Sequence, residues 1–264
     1  MDSLKWVLKR LWAWHFYVVF VLLFLLFYPI FYFILKDDKQ YARANRLRRR
    51  WAKWLLRFCG VRPEINYTFQ PTPERQFIIV ANHTSILDIP LMAMVFEGEY
   101  RFMAKHELKD LPLFGIFFST IDIPVHRESK IGAFKAFKQG LEALQKRHSL
   151  IVFPEGTTSD GLAPDMLNFK NGPFRMAIDA GVDILPVTFL DNWHLFLYDG
   201  SMQFKPGKTR AIVHQPISTA GLSKNDTESL KDRAFYIIYD TLKAEYESRY
   251  RFSRQNSRAG EAAV

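Results

Sequence analysis

Phe16 to Leu35 is a run of twenty residues without a charged or amide side chain. As a helix it would be ~30 Å long, about the thickness of a bilayer's hydrocarbon core. It is too long for the apolar core of a secretory leader, and the Lys36-Asp37-Asp38 that follows offers no small-residue cleavage site, so the segment is expected to be retained. Pro29 lies inside it and is expected to kink the helix or end its regular hydrogen bonding. Trp6, Trp12 and Trp14 stand before the run, and Trp51 and Trp54 after it. Both groups lie close to Lys and Arg, as interfacial tryptophans do.

The charge distribution points to a lipid partner. The chain carries a net +9, yet residues 1–62 hold 13 Lys/Arg against 3 Asp/Glu, while the other 202 hold 23 against 24. The excess positive charge therefore flanks the apolar run, which suits a membrane surface, and no nucleic acid is expected as a partner. Tyr41, Ala44, Leu47, Trp51, Trp54, Leu55 and Phe58 recur at helical spacing, with Arg43, Arg46, Arg49, Arg50, Lys53 and Arg57 filling much of the remainder. This predicts a basic amphipathic helix lying in the headgroup layer; a charged helix packed on its own domain is the alternative. Residues 1–62 are thus expected to form a membrane-associated helical hairpin. Basic flanks on both sides of the apolar run favour a dip into one leaflet over a full span. The basic bias places the rest of the chain on the cytoplasmic face of a cell inner membrane. Cys59 is the only cysteine, so no intrachain disulfide can form, and without a Cys/His cluster no structural metal site is expected.

From about residue 63 to 248, short apolar runs alternate with helical patterns. Phe77–Val80, Arg101–Ala104, Ile121–Val125, Ser149–Phe153, Ile184–Leu190 and Thr209–His214 read as strands. Helices are expected near Pro90–Phe96, at Ile131, Phe134, Phe137, Leu141 and Leu144, and from Thr227 to Tyr246. The alternation predicts an α/β fold with a mixed or parallel central sheet flanked by helices. Residues 249–264 are polar, with little apolar patterning, and are expected to be a flexible tail.

Two polar motifs follow apolar strands. Asn82-His83-Thr84-Ser85-Ile86-Leu87-Asp88 places an imidazole and a carboxylate five positions apart. Because Pro90 is tolerated only in a first helical turn, the helix should begin at Ser85 or later. His83 then lies in the turn and Asp88 in the first helical turn, where the two side chains can approach. A neutral imidazole held by a carboxylate can take the proton of an attacking alcohol. Asp88 also fits a capping box with Ser85, and this fragment alone leaves both roles open. The second motif, Phe153-Pro154-Glu155-Gly156-Thr157-Thr158, reads either as a simple turn or as a carboxylate set at a strand end to meet substrate hydroxyls.

Together the two motifs resemble the glycerol-phosphate and lysophosphatidic acid acyltransferase family, with the amphipathic N-terminal element typical of bacterial members. That family's signature is His-x4-Asp followed by Phe-Pro-Glu-Gly-Thr-Arg, and the similarity runs from about Phe77 to Val187. It implies His83 as catalytic base and Asp88 as its partner. Gly115 to Arg127 resembles the family's second motif, implying that Arg127 contacts the acceptor phosphate. Ala104-Lys105-His106-Glu107-Leu108 adds Lys105 to that anionic pocket. Glu155, Gly156 and Thr157 match the third motif, Leu185-Pro186-Val187 resembles the fourth, and Phe169-Lys170-Asn171-Gly172 matches a downstream segment that adds Lys170. The third motif usually ends in arginine, where this chain has Thr158; Lys105, Arg127, Lys170 or Arg175 would have to supply that charge.

The resemblance implies a membrane-bound O-acyltransferase that moves a fatty acyl group from acyl-CoA or acyl carrier protein to 1-acyl-glycerol-3-phosphate, forming phosphatidic acid without a cofactor. Thr158 keeps open another lyso-lipid or an acylated amino-acid lipid as acceptor. A non-catalytic protein recruiting a partner to the membrane surface is a rival of another class; it explains residues 1–62 but not His83, Asp88 and Glu155.

Overall fold

The apolar runs beyond residue 60 become strands of one sheet. In a computed structural model of the chain, residues 2–159, 165–196 and 201–261 are described. Strands β1 (Val61–Tyr67), β2 (Phe77–Ala81), β3 (Tyr100–Lys105), β4 (Ile123–Val125), β5 (Ser149–Val152), β6 (Asp183–Phe189) and β7 (Gly207–Val213) lie in the order β1-β7-β6-β2-β5-β3-β4. Each neighbouring pair is parallel except β6 and β7. The fold is α/β, with a mixed and largely parallel sheet flanked by helices. β2 and β5 are buried along their whole length, so they read as unbroken apolar runs rather than alternating ones. β1 has no such signal. It is an edge strand whose Arg62, Glu64 and Asn66 face solvent, and it tolerates Pro63 for the same reason.

Helices α1 (Asp2–Ile34), α2 (Tyr41–Phe58), α3 (Asp88–Val95), α4 (Ile116–Ser119), α5 (Lys130–Gln145), α6 (Gly172–Ala180), α7 (Asn192–Leu195) and α8 (Thr227–Glu261) complete the architecture. Ala136, Ala143, Phe174, Ala177, Leu230 and Ile238 from α5, α6 and α8 pack on one face of the sheet. On the other face Leu91, Met92 and Val95 of α3 meet Ile79, Ile151 and Leu185. The last helix does not stop near Tyr246 but continues to Glu261, taking in most of the segment expected to be a flexible tail. That stretch contains no proline, and lengthening a formed helix requires no new nucleation. Residues 262–264 lie outside the described residues.

α1 and α2 form the expected hairpin, joined by a 3-10 turn at Asp38–Gln40. α1 runs on past Pro29. Its buried residues Ala13, Phe16, Phe24 and Phe31 lie against the body of the protein. Phe16 meets Phe196 and Phe204, Phe24 meets Trp51 and Phe114, and Phe31 meets Phe117. The Trp12 indole N–H donates to the Cys59 carbonyl at 3.1 Å. A wide face of α1, including Leu8, Leu11, Leu22, Leu26 and Phe33, is exposed. Among the described residues α1 is the one helix long and apolar enough to cross a membrane.

α2 differs from the headgroup-layer expectation. Tyr41, Ala44, Leu47, Trp51 and Leu55, its apolar stripe, are buried within the protein against α1 and α3 rather than presented to lipid. Only Trp54 and Phe58 of that stripe are exposed. Arg48 is buried with the stripe and makes a bidentate pair with Asp122, at 3.0 and 2.6 Å. The alternative reading, a charged helix packed on its own domain, describes α2.

Candidate active site

β2, β5, β3 and β4 are parallel neighbours, so their C-terminal ends share one edge of the sheet. His83 follows β2, Glu155 follows β5, Lys105 ends β3 and Arg127 follows β4. α3 begins at Asp88, which leaves His83 in the turn before it as Pro90 required.

His83 Nδ1 lies 2.8 Å from Asp88 Oδ2. The same oxygen accepts the backbone N–H groups of Thr84 and Ser85 at 2.7 and 2.9 Å, and Oδ1 accepts Asn192 Nδ2 at 2.6 Å. Asp88 is 0% exposed. A carboxylate surrounded by donors accepts from the imidazole as well, which puts the ring proton on Nδ1 and leaves Nε2 as the free acceptor. The Asp88 carboxylate folds the turn and orients the histidine; the reciprocal capping box with Ser85 does not form, because Ser85 Oγ accepts the Leu87 N–H instead. The His83 ring stacks on Phe153 at a centroid distance of 4.2 Å, and Nε2 lies 3.3 Å from Thr158 Oγ1.

Glu155 has a different role from that of a substrate contact. Oε1 accepts the His83 backbone N–H and Oε2 that of Leu167, each at 2.8 Å. The side chain does not line the cleft and is buried. Burial pushes its carboxyl up to about 7, against the lowering effect of these two hydrogen bonds. Its work is to fix the backbone of the β2 turn to that of the segment after β5. Gly156, at φ +83°, supplies the turn that brings Thr157 and Thr158 to the cleft.

The cleft has a volume of about 380 Å³. His83, Lys105, Arg127, Thr157 and Thr158 form its polar part; Ile86, Phe102, Met103, Leu108, Phe114 and Phe117 are among its apolar walls. Trp51 and the Arg48–Asp122 pair also line it. Lys105 makes an exposed ion pair with Glu107 at 2.8 Å, and Arg127 is exposed at the end of β4. The structure therefore gathers His83, Lys105, Arg127 and Thr157 around one space, with Asp88 buried beside His83. Lys170 does not line it: its backbone N–H donates to the Pro154 carbonyl at 2.8 Å, and its side chain runs behind Gly156. Arg175 is on α6, paired with Asp179. Leu185, Pro186 and Val187 are buried in β6. Among the described residues no group of three or more His, Cys, Asp or Glu side chains is placed to hold a metal ion.

Asn192 is the functional residue that sequence reasoning missed. It is buried at the start of α7, accepts Thr209 Oγ1 at 2.5 Å and donates to Asp88. It stands 104 positions from Asp88, so no local pattern links them. Its place just past the apolar run of β6, on the same sheet edge as His83, was the available signal.

Residues 64–190 match the family model described as acyltransferase. The likeness to the acyltransferase family runs through this segment, just under half of the chain. It is similar to an uncharacterized acyltransferase of Schizosaccharomyces pombe, 32% identical over 155 residues, covering 58% of this chain and 55% of that one. It is also similar to the 1-acyl-sn-glycerol-3-phosphate acyltransferase of Saccharomyces cerevisiae, 31% identical over 172 residues, covering 64% and 56%. The chain spans about half the length of the curated relatives it matches. The crystal structure of the 1-acyl-sn-glycerophosphate acyltransferase PlsC from Thermotoga maritima superposes with a TM-score of 0.74 at 25% identity, over 92% of this chain and 97% of that one.

Proposed function

We propose that this acyltransferase moves a fatty acyl group from a thioester donor, acyl-CoA or acyl carrier protein, to the free hydroxyl of 1-acyl-glycerol-3-phosphate, forming phosphatidic acid. The observation that carries the reading is the dyad: Asp88 holds the His83 ring so that Nε2 faces a cleft flanked by Lys105 and Arg127. His83 Nε2 takes the hydroxyl proton as that oxygen bonds to the thioester carbonyl carbon. The carbonyl π electrons move to oxygen, then return as the carbon–sulfur bond breaks. The departing thiolate receives the proton from His83, so the enzyme ends as it began. Asp88 stabilises the imidazolium between these steps. Lys105 and Arg127 suit the acceptor phosphate, and exchanging the exposed Glu107 for a phosphate costs Lys105 little. The apolar walls suit an acyl chain.

The exposed apolar face of α1 supports membrane association, with the cleft opening to substrates held in lipid. The basic residues around the hairpin favour the cytoplasmic face of an inner membrane. One observation favours a second acceptor. Thr158 stands beside His83 Nε2 where the resembled motif has arginine, so an acceptor with less phosphate charge, such as another lyso-lipid or an acylated amino-acid lipid, fits the same chemistry.

The test is an assay of labelled acyl donors, as acyl-CoA and as acyl carrier protein, against a panel of lyso-lipids. Product with 1-acyl-glycerol-3-phosphate is expected, and His83→Ala should lower turnover roughly 10²–10⁴-fold. Preference for a non-phosphate acceptor would replace the first reading with the second, and near-normal turnover by His83→Ala would remove the mechanism.

A further inference from the structure

The cleft beside His83 is not the only large cavity among the described residues. A second, of about 660 Å³, lies between the 3-10 turn His106–Asp110 and α5, beside the β4 edge. Its wall is mostly polar and includes Arg101, Lys109, Lys135 and Lys146 together with His106 and His126, whose rings stack at 3.5 Å. Among the described residues Lys109, Lys135 and Lys146 have no ion-pair partner; Asp122, which also lines the cavity, is already held by Arg48. Asp110 and Glu142 offset part of the charge, leaving positive charge in excess.

α5 explains what surrounds it. Gly132, Lys135, Gln139 and Glu142 recur at helical spacing and face the cavity, while Ala136, Gly140, Ala143 and Leu144 pack on the protein. Ile131, Phe134 and Lys138 form a neighbouring stripe at i, i+3 and i+7. Ile131 and Phe134 belong to the apolar period that marks this helix, yet they are 83% and 59% exposed, with Lys138 over the Phe134 ring at 5.0 Å. Two large apolar side chains left mostly exposed among lysines add little to holding the helix in place.

The far wall of the cavity leads back to α1. Across the cavity the chain passes from Asp110 to the exposed Leu111 and Leu113, and then to Phe114, which packs on Phe20 and Phe24 of α1. Arg101 lies against the Tyr41 ring at the start of α2. We propose that the N-terminal half of α5 and the basic cavity beside it are a second bilayer contact. Ile131 and Phe134 enter the boundary between headgroups and acyl chains, and anionic headgroups neutralise Lys109, Lys135 and Lys138. Lysines near an anionic surface strengthen partition by about fivefold each, so three of them bring on the order of 100-fold, reduced as salt rises. The contact depends on the membrane reading of α1 and is independent of the reaction at His83.

The test uses the full chain in vesicles. Cys59 is buried and its thiol is pushed up to about 12, so a cysteine introduced at the surface is the one a maleimide dye reaches. Ile131→Cys and Phe134→Cys, with Tyr236→Cys on exposed α8 as reference, are labelled and reconstituted into phosphatidylcholine vesicles with and without phosphatidylglycerol. With phosphatidylglycerol present, the dyes at 131 and 134 should be quenched by a shallow lipid-borne nitroxide and shielded from aqueous iodide, and the dye at 236 should not. Adding Lys109→Glu, Lys135→Glu and Lys138→Glu to Phe134→Cys should reverse that shielding while the melting temperature stays within a few degrees. Dyes at 131 and 134 that remain open to iodide in anionic vesicles overturn the proposal. So does shielding that requires added acidic acyl carrier protein, which would make the patch a protein-docking site instead.

Discussion

Asp88→Asn separates the charge of the dyad from its geometry. Oδ2 faces three donors, His83 Nδ1 and the Thr84 and Ser85 amides, whereas Oδ1 faces only the Asn192 amide. An asparagine keeps its oxygen on the crowded side and turns its NH₂ toward Asn192. Asn192 can flip to accept, and Thr209 Oγ1 can then accept from Asn192 where it now donates. The turn therefore survives and the fold loses little. What is lost is the anion beside the imidazolium that forms during transfer. Unit charges about 4 Å apart at an effective dielectric near 20 attract by about 4 kcal/mol, which is a rate loss of about 10³-fold. The assay is thiol release from acyl-CoA with 1-acyl-glycerol-3-phosphate in mixed micelles, with thermal unfolding measured alongside. In the double variant, His83→Ala should add far less in the Asp88→Asn background than it does alone, because the two residues act as a unit. Turnover within tenfold of the parent enzyme, or losses that multiply in the double variant, would refute the reasoning.

Two further outcomes concern the supports of the site. The folded state holds a proton on Glu155 up to about 7, whereas the unfolded chain releases it near 4.5. Glu155 therefore stabilises the fold at low pH, and that contribution, at most about 3 kcal/mol, is lost as pH rises through this window. Denaturant midpoints of the parent protein minus those of Glu155→Gln should fall from acid to neutral pH; a flat difference means an ordinary carboxyl. Arg48→Met leaves the fully buried Asp122, already raised by desolvation, without its guanidinium and should cost about 3–5 kcal/mol of stability. Adding Asp122→Leu should restore part of it, and a single variant as stable as the parent would show that the pair is not buried in solution.

How far the sequence carried depended on the kind of information each feature needs. β2 and β5 were legible because both faces of a central parallel strand are buried, which writes an unbroken apolar word into the chain. The start of α3 was legible because Pro90 restricts where a helix can begin. Three local features misled. The apolar stripe of α2 has the same periodicity whether it meets lipid or protein, and only the buried Arg48–Asp122 pair, 74 residues apart, shows that it meets protein. Ile131 and Phe134 carry the apolar period of α5 without being in the core. Glu155 has the composition of a substrate contact, but the direction of a side chain at a strand end is a tertiary property, and here it turns inward to two amides.

The placement of α1 links the membrane to the chemistry. Phe24 and Phe31 of α1 touch Trp51, Phe114 and Phe117, and those three residues are themselves walls of the cleft. One layer of side chains thus separates the lipid-seeking helix from the space in front of His83. Because interiors are close-packed, a shift of α1 cannot be absorbed within that layer and must reach the cleft wall. The Trp12–Cys59 hydrogen bond and the Phe16 contacts to Phe196 and Phe204 secure the other half of the helix, and Ser85, in the turn that carries the dyad, donates to the Phe196 carbonyl at 2.9 Å. In the proposed reaction, a lipid substrate would meet a site whose walls and catalytic turn are both braced against the helix proposed to sit in the lipid. Loosening α1 should cost activity even on dispersed substrate, where holding the enzyme at a membrane brings no advantage.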